Sequence, residues 1–407
     1  MRNKAFSILI LVTTVFIIAG CGNDIESPAK STWDKTFGGA GDDFGIDIKT
    51  TSVGEIIILG QSQNLASDSS FARVIKLSAD GNILFDRTIK TRKFSVPNGL
   101  MLNATDEIIV FGKTYDIEGE SNSYILNLSS SDGSINWEKV HDLGIGDEIT
   151  GMIGSENGKY LAVGNLKNED GGFSGVGLQM SVVIEFSSAG DLLGSGHYIG
   201  LYGPGMISKG ISIDKNDNYL ILAATYPSVV EYENDAYRGF SCFYMPKDPF
   251  GQIYFAYTLD FEIENITNST GSYVQKMDGS DVAFLMASGT SAGGAKSQTI
   301  LHELNLSSSG EPMNASFIDI FAKDLLLTAE GNFILVGDQA STRDLVVKKV
   351  GPGLIEEWSK VFGGKNRDTG SGIIQIGDYY YILGSTESEG AGLNDIWILK
   401  IDASGNL

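Results

Sequence analysis

Two cysteines, three histidines and eight prolines are all that this 407-residue chain has of those residue types, and each scarcity excludes something. Cys21 sits within an N-terminal leader and Cys242 stands alone in the body. No intramolecular disulfide framework is therefore expected, and stability has to come from a core that 42% apolar residues can fill. Cys242 has no evident base near it in sequence and reads as a small buried apolar residue. His141, His197 and His302 lie far apart, and none belongs to a His-Glu-x-x-His or Cys/His spacing that would hold zinc. Basic residues are also few: 29 Lys and Arg against 51 Asp and Glu leave a net charge of −22. That balance disfavours nucleic acid and anionic lipid as partners, because both need a basic surface to release counterions. No Gly-x-Ser-x-Gly nucleophile elbow occurs, since Gly194-Ser-Gly196 and Gly370-Ser-Gly372 lack its frame.

What the chain does have is repetition. Trp33-Asp-Lys-Thr-Phe-Gly-Gly39 followed by Asp42-Asp43 returns near the other end as Trp358-Ser-Lys-Val-Phe-Gly-Gly364 followed by Asp368. Weaker copies stand after tight turns, as Phe85-Asp-Arg87 after Asp80-Gly81 and Trp137-Glu-Lys139 after Asp132-Gly133. A phrase recurring at intervals must be resolved before any local reading. In the first unit Phe44–Thr51 alternates, Ser52-Val-Gly54 turns, Glu55–Gly60 is a β-branched run, Ala72–Ser78 alternates, and Asn82–Thr88 follows Asp80-Gly81. Four strands joined as a meander result. The β-branched segment recurs at 107–112, 159–164, 218–222, 281–285, 332–337 and 380–384, which makes seven units.

Units of roughly 54 residues, with apolar period two and turn residues every 8–12 positions, predict an all-β fold: a seven-bladed β-propeller of four-stranded antiparallel blades. The repeat phrase degenerates between about 194 and 356, where Gly194-Ser-Gly-His197 and Asn314-Ala-Ser316 stand in place of Trp, so six or eight blades remain as alternatives. The chain stops at Ser404-Gly405-Asn406-Leu407, the turn that elsewhere precedes the Trp strand, and the body begins with that strand at Trp33. The N-terminal strand is thus expected to complete the C-terminal blade and leave no open sheet edge. Trp-x-Lys-x-Phe-Gly-Gly with a following Asp, together with Gly377-Asp-Tyr-Tyr-Tyr-Ile-Leu-Gly384, resembles the SBBP-type β-propeller repeat of bacterial secreted proteins and, more distantly, quinoprotein-like propellers. The resemblance implies a fold and not a chemistry.

The leader gives an address. Arg2 and Lys4 precede an apolar run over 5–18 that ends in Ile18-Ala19-Gly20-Cys21, which resembles the lipobox of bacterial lipoproteins. The resemblance implies cleavage before Cys21 and its acylation, giving a signal peptide over 1–20, a lipidated polar tether over 21–31 containing Pro28, and a propeller domain over 32–407. Gly22 gives no signal for inner-membrane retention, so in a bacterium with two membranes the outer one is the first expectation, on its periplasmic or its surface side.

Catalysis leaves little trace. Asp214-Lys-Asn-Asp-Asn218 has oxygens at alternate positions, a weak hint of calcium, but it lacks the Gly and downstream Glu of an EF-hand loop and coincides with a turn. No other cofactor is implied. Phe37-Gly-Gly-Ala-Gly-Asp42 suggests a phosphate cradle until its copy at Phe362-Gly-Gly364 marks it as a repeat turn, and Asp42, Asp43 and Asp368 read the same way. Length varies in the connections from second to third strand and from fourth strand to next unit, which in a propeller share one face; long loops on a rigid scaffold are where binding resides. The insertion over 226–240 carries Tyr226, Tyr232, Tyr237 and Arg238, side chains suited to a protein or carbohydrate interface. The expectation is a membrane-anchored binding module for an envelope protein or glycan. The alternatives are a glycan hydrolase or lyase with carboxylates at the propeller channel and, further off, a quinone-dependent dehydrogenase.

Overall fold

The computed structural model describes residues 32–407 apart from 65–67, 117, 156–157, 169–177, 199–205, 214–218, 226–239, 246–254, 260–265, 277–281, 292–295, 306–310 and 352. Twenty-eight strands pair into seven four-stranded antiparallel sheets. In the first sheet β2 (Asp43–Thr50), β3 (Ile56–Asn64), β4 (Ser69–Leu77) and β5 (Ile83–Ile89) are joined as a meander. The second sheet holds β6 (Ser95–Leu102) to β9 (Ile135–His141), the third β10 (Ile145–Gly154) to β13 (Leu192–Tyr198), and the fourth β14 (Met206–Ile213) to β17 (Phe255–Leu259). The fifth runs from β18 (Ile266–Lys276) to β21 (Glu311–Ile318) and the sixth from β22 (Phe321–Leu327) to β25 (Glu356–Phe362). The last comprises β26 (Asp368–Ile376), β27 (Tyr379–Thr386), β28 (Asp395–Ile401) and, as its outer strand, β1 (Trp33–Phe37). The fold is an all-β propeller with four-stranded antiparallel blades.

The expected seam is present. β1 pairs with β28 from Trp33 opposite Lys400 to Phe37 opposite Ile396. The first strand of every sheet contacts the first strands of the two flanking sheets, β26 meeting β2, so these strands form the innermost layer. Apolar side chains fill the spaces between sheets. Ile48, Ile58 and Ile75 of the first sheet pack with Tyr381, Leu383 and Ile398 of the last, and Ile57 and Val74 pack with Val110 and Leu126 of the second. Because second strands lie between two neighbours they are buried on both faces, which is why they read as unbroken β-branched runs.

The repeat phrase has a packing cause. In four sheets the turn between third and fourth strands contains a glycine of positive φ with the aromatic of the preceding sheet's outer strand against it. A Cβ on Gly81, Gly133, Gly190 or Gly405 would sit 2.5–2.9 Å from a ring carbon of Trp33, Phe85, Trp137 or Trp358 respectively. The basic residue two positions on reaches the same turn: Arg87 Nε donates to Asp132 O at 3.0 Å, Lys139 Nζ to Asp191 Oδ1 at 2.7 Å, and Lys360 Nζ to Asn406 Oδ1 at 2.9 Å. Trp-x-Lys is therefore a clasp between neighbouring sheets. Gly194-Ser-Gly-His197 and Asn314-Ala-Ser316 fall in β13 and β21, both fourth strands, so the scaffold persists where the clasp residues are absent.

Phe-Gly-Gly is explained alongside it. A Cβ on Gly38 would lie 1.4 Å from Asp395 Oδ1, while the N–H of Gly39 donates to Asp43 Oδ2 at 2.9 Å. In the copy, a Cβ on Gly363 would lie 2.8 Å from Asp344 Oδ1, and Gly364 N–H donates to Asp368 Oδ2 at 2.9 Å. The first glycine makes room for the aspartate at the start of a third strand, Asp395 opening β28 and Asp344 standing just before β24 (Leu345–Val350). The second donates to the aspartate that opens the next first strand.

Candidate functional site

The innermost strands share a device invisible in the repeat phrase. Each carries a one-residue register shift against its second strand, at Ile46, Asn98, Thr150, Lys209, Ser272, Lys323 and Ser371 in the seven sheets. A bulge bends its strand and re-aims the next side chain. The residue that follows is glycine in four sheets, as Gly99, Gly151, Gly210 and Gly372, but aspartate in two, as Asp47 and Asp324. Glycine permits close approach: a Cβ on Gly372 would lie 2.9 Å from Ile48 Cγ2, and one on Gly99 2.6 Å from the Phe111 ring.

Asp47 and Asp324 play equivalent parts. Asp47 accepts the Ile48 N–H at 2.7 Å on Oδ1 and, across to the second sheet, the Leu100 N–H at 3.0 Å on Oδ2. Asp324 accepts the Leu325 N–H at 2.8 Å on Oδ1 and, across to the last sheet, the Ile373 N–H at 2.9 Å on Oδ2. Lys49 Nζ stands 2.5 Å from Asp47 Oδ1 and also feels Asp324. Three titratable groups from the first and sixth sheets thus meet beside the last one. Burial pushes the Asp324 carboxyl up to about 6, with Lys49 opposing, Asp47 adding and its two amide donors opposing. For Lys49 burial is outweighed by the attraction of Asp47 and Asp324, so its ammonium is held above the usual lysine range.

Asp147 is the other raised acid. It lies at the start of the third sheet's first strand, where Asp43 and Asp368 lie in theirs, and burial pushes it up to about 7 while Asp142 adds to the rise and the Leu143 and Gly144 amides oppose it. Both carboxyls hold a proton in the folded chain that the unfolded chain releases near pH 4. Between about pH 4 and pH 7 their contribution to stability therefore falls as pH rises, against the opposite contribution of the half-buried His141 and the buried His302. Asp147→Asn should flatten that slope, measured as unfolding midpoints in denaturant from pH 4 to pH 8, with its gain over the parent greatest at pH 8.

The expected site residues are placed unevenly. Cys21, Tyr226, Tyr232, Tyr237, Arg238 and the whole of 214–218 lie outside the described residues, as does most of the long-loop surface. Asp42, Asp43 and Asp368 are turn ligands: Asp42 Oδ1 accepts Asn394 Nδ2 at 2.7 Å, and Asp43 also meets Ser62 Oγ and, at 3.3 Å, Arg73 Nη1. His141, in β9, meets Gly190 O at 2.9 Å through Nε2; His302 is buried in β20. The two share no site. Among the described residues no group of three or more His, Cys, Asp or Glu is placed to hold a metal ion. The Asp47–Lys49–Asp324 cluster was missed by sequence reading, and the signal that could have found it is Asp at the position where other units carry Gly in a Gly-x-Gly or Asn-Gly step.

No protein-family model matches the chain, and no curated protein matches it. Solved structures do. Polysaccharide lyase Uly1 superposes with a TM-score of 0.53 at 11% identity, over 89% of this chain and 90% of that one. The β-propeller domain of the Trilobed protease from Pyrococcus furiosus gives 0.47 at 11%, over 89% and 96%, and Penicillium chrysogenum α-L-arabinanase gives 0.48 at 9%, over 92% and 100%. At such identities the likeness is one of architecture.

Proposed function

We propose that this chain is a seven-bladed, closed propeller held to the cell envelope through an acylated Cys21, in the outer membrane, and that it works as a binding module for an envelope protein or glycan. One observation carries the choice of binding over catalysis. All four carboxylate oxygens of Asp47 and Asp324 accept backbone N–H bonds, and two of those bonds cross to a neighbouring sheet. The acids that the innermost layer brings together are thereby engaged in joining sheets, and recognition is left to the loop-bearing face. The seven sheets in mutual contact support the blade count, and the lipobox-like Ile18-Ala19-Gly20-Cys21 supports the anchor. No metal or organic cofactor is part of this reading, calcium at 214–218 being its weakest alternative.

The second reading is a glycan hydrolase or lyase acting at the axis. The proton held by Asp324 up to about pH 6, beside Asp47 and Lys49, favours it, because an acid with a raised pKa next to a second carboxylate is what such chemistry requires. The architecture shared with a polysaccharide lyase bears on fold rather than on this chemistry. Affinity capture from envelope extract tests the binding reading: the lipidated chain should retain a protein or glycan that a variant shortened over 224–241 loses.

A further inference from the structure

Among the described residues, most of the large apolar side chains left exposed stand at one end, with Tyr115, Phe317, Val361 and Leu393 elsewhere. The residue that follows the turn between third and fourth strands is aliphatic and exposed in five sheets: Ile83 at 56%, Ile135 at 41%, Leu192 at 43%, Ile355 at 71% and Leu407 at 51%. Leu84 and Leu193 extend two of these positions, and Val53, 76% exposed, tops a first-to-second-strand turn at the same end. That the turns share an end follows from register: Ile56, just after the turn at 51–55, pairs with Leu77, just before the turn at 78–82. Singly exposed aliphatics need no explanation. Recurrence at one repeat position around the molecule does, since it builds a rim out of residues that no neighbouring sheet covers.

The chain enters at this rim. Trp33 opens β1 opposite Lys400, near the end of β28 that leads to Leu407, and its ring lies against Gly81, two residues before Ile83. Eleven steps separate Cys21 from Thr32, at most about 40 Å fully extended and roughly 20 Å as a flexible coil. A tether on Cys21 therefore joins the propeller at its aliphatic end, so at coil length that is the end it would bring to the lipid.

We infer that the turn-bearing rim, marked by Ile83, Ile135, Leu192, Ile355 and Leu407, docks on the surface of the bilayer that anchors the chain, holding the opposite, long-loop face away from it. This rests on the anchoring proposed above. The lipid is electrically neutral at the contact, because a chain of net charge −22 is repelled by anionic headgroups and the basic groups at these turns, Arg87, Lys139 and Lys360, are already bonded to Asp132 O, Asp191 and Asn406. Tethering makes the docking intramolecular, so a contact too weak to recruit a free protein is populated once the anchor is in place.

The test uses the full lipidated chain in phosphatidylcholine vesicles with bromine on the upper acyl carbons, a quencher of tryptophan. Trp33 lies against the turn before Ile83, Trp137 lies two residues after Ile135, and Trp358 three after Ile355, whereas Trp397 is buried in the interior. Flotation with the vesicles reads the anchor separately. Native protein should float and lose about half of its tryptophan emission. A variant carrying Ile83→Ser, Ile135→Ser, Leu192→Ser, Ile355→Ser and Leu407→Ser should float equally and lose under a tenth, with its unfolding midpoint unchanged. Tyr115→Ser with Leu393→Ser, at the opposite end, should behave as native. Floating protein with no quenching overturns the rim proposal and leaves the anchor intact; failure to float overturns both. A dimer in detergent that the five substitutions dissolve would assign the rim to a second copy and overturn it too.

Discussion

Deleting residues 32–37 should lower the unfolding midpoint by roughly 10 °C. β1 supplies the last sheet with its outer strand, and its loss uncovers Tyr381 and the backbone edge of β28. Phe37 is buried among Ile48, Ile396 and Ile398, and removing such a ring costs about 3–5 kcal/mol. Unpairing five residues of ladder adds to that, and each kcal/mol is worth roughly 2 °C or less in a domain of this size. The strand belongs to the ring although it stands hundreds of residues from its partner in sequence. A synthetic peptide of residues 32–39 added to the truncated chain should therefore restore stability in proportion to the logarithm of its concentration, as ligand linkage requires. Calorimetry with and without peptide measures both effects. A truncated protein that melts with the parent would show that β1 is peripheral.

Gly38→Ala should be the most damaging single methyl at any described glycine, costing more than about 3 kcal/mol, the range reserved for a change that a structure cannot absorb. The added Cβ would sit 1.4 Å from Asp395 Oδ1. Asp395 cannot withdraw freely, because its Oδ2 accepts the Ala391 N–H at 2.6 Å and Gly392 N–H at 3.3 Å, which fix the loop before β28. Gly39→Ala, one residue on, should cost within about 0.5 kcal/mol, since the nearest neighbour of its Cβ is Asp43 Oδ2 at 4.0 Å and its φ needs no glycine. Asp395→Ala should rescue Gly38→Ala in part, with a coupling above about 1 kcal/mol in a double-mutant cycle by denaturant unfolding. Equal costs at 38 and 39 would refute this account of the Phe-Gly-Gly phrase.

Much of the scaffold was legible because propeller blades speak through short-range pattern. Period-two alternation at 44–51 and the β-branched run at 56–59 become β2 and β3, and the Asp-Gly turn at 80–81 falls where the structure turns. The orphan strand at Trp33 found its partner because a repeat broken at both ends has one economical repair. The axial cluster was not legible, for two physical reasons. Its members, Asp47, Lys49 and Asp324, come from sheets far apart in sequence. The bulge that aims Asp47 and Asp324 inward is a register event, which leaves no mark in composition. The aliphatic rim was in plain view at Ile83, Ile135 and Ile355, yet strand periodicity alone assigns such residues to a core; only the finished packing shows that nothing covers them.

The central claim is that the axial acids join sheets while the molecule binds through its loops. Capture from envelope extract tests it most directly when the native chain, the variant shortened over 224–241 and Asp324→Asn are compared side by side, with the captured glycan or protein examined for cleavage. The account predicts that Asp324→Asn captures as well as the native chain, that the shortened variant captures nothing, and that the captured partner is intact. A glycan cleaved by the native chain and left whole by Asp324→Asn would contradict it and place the chemistry at the axis.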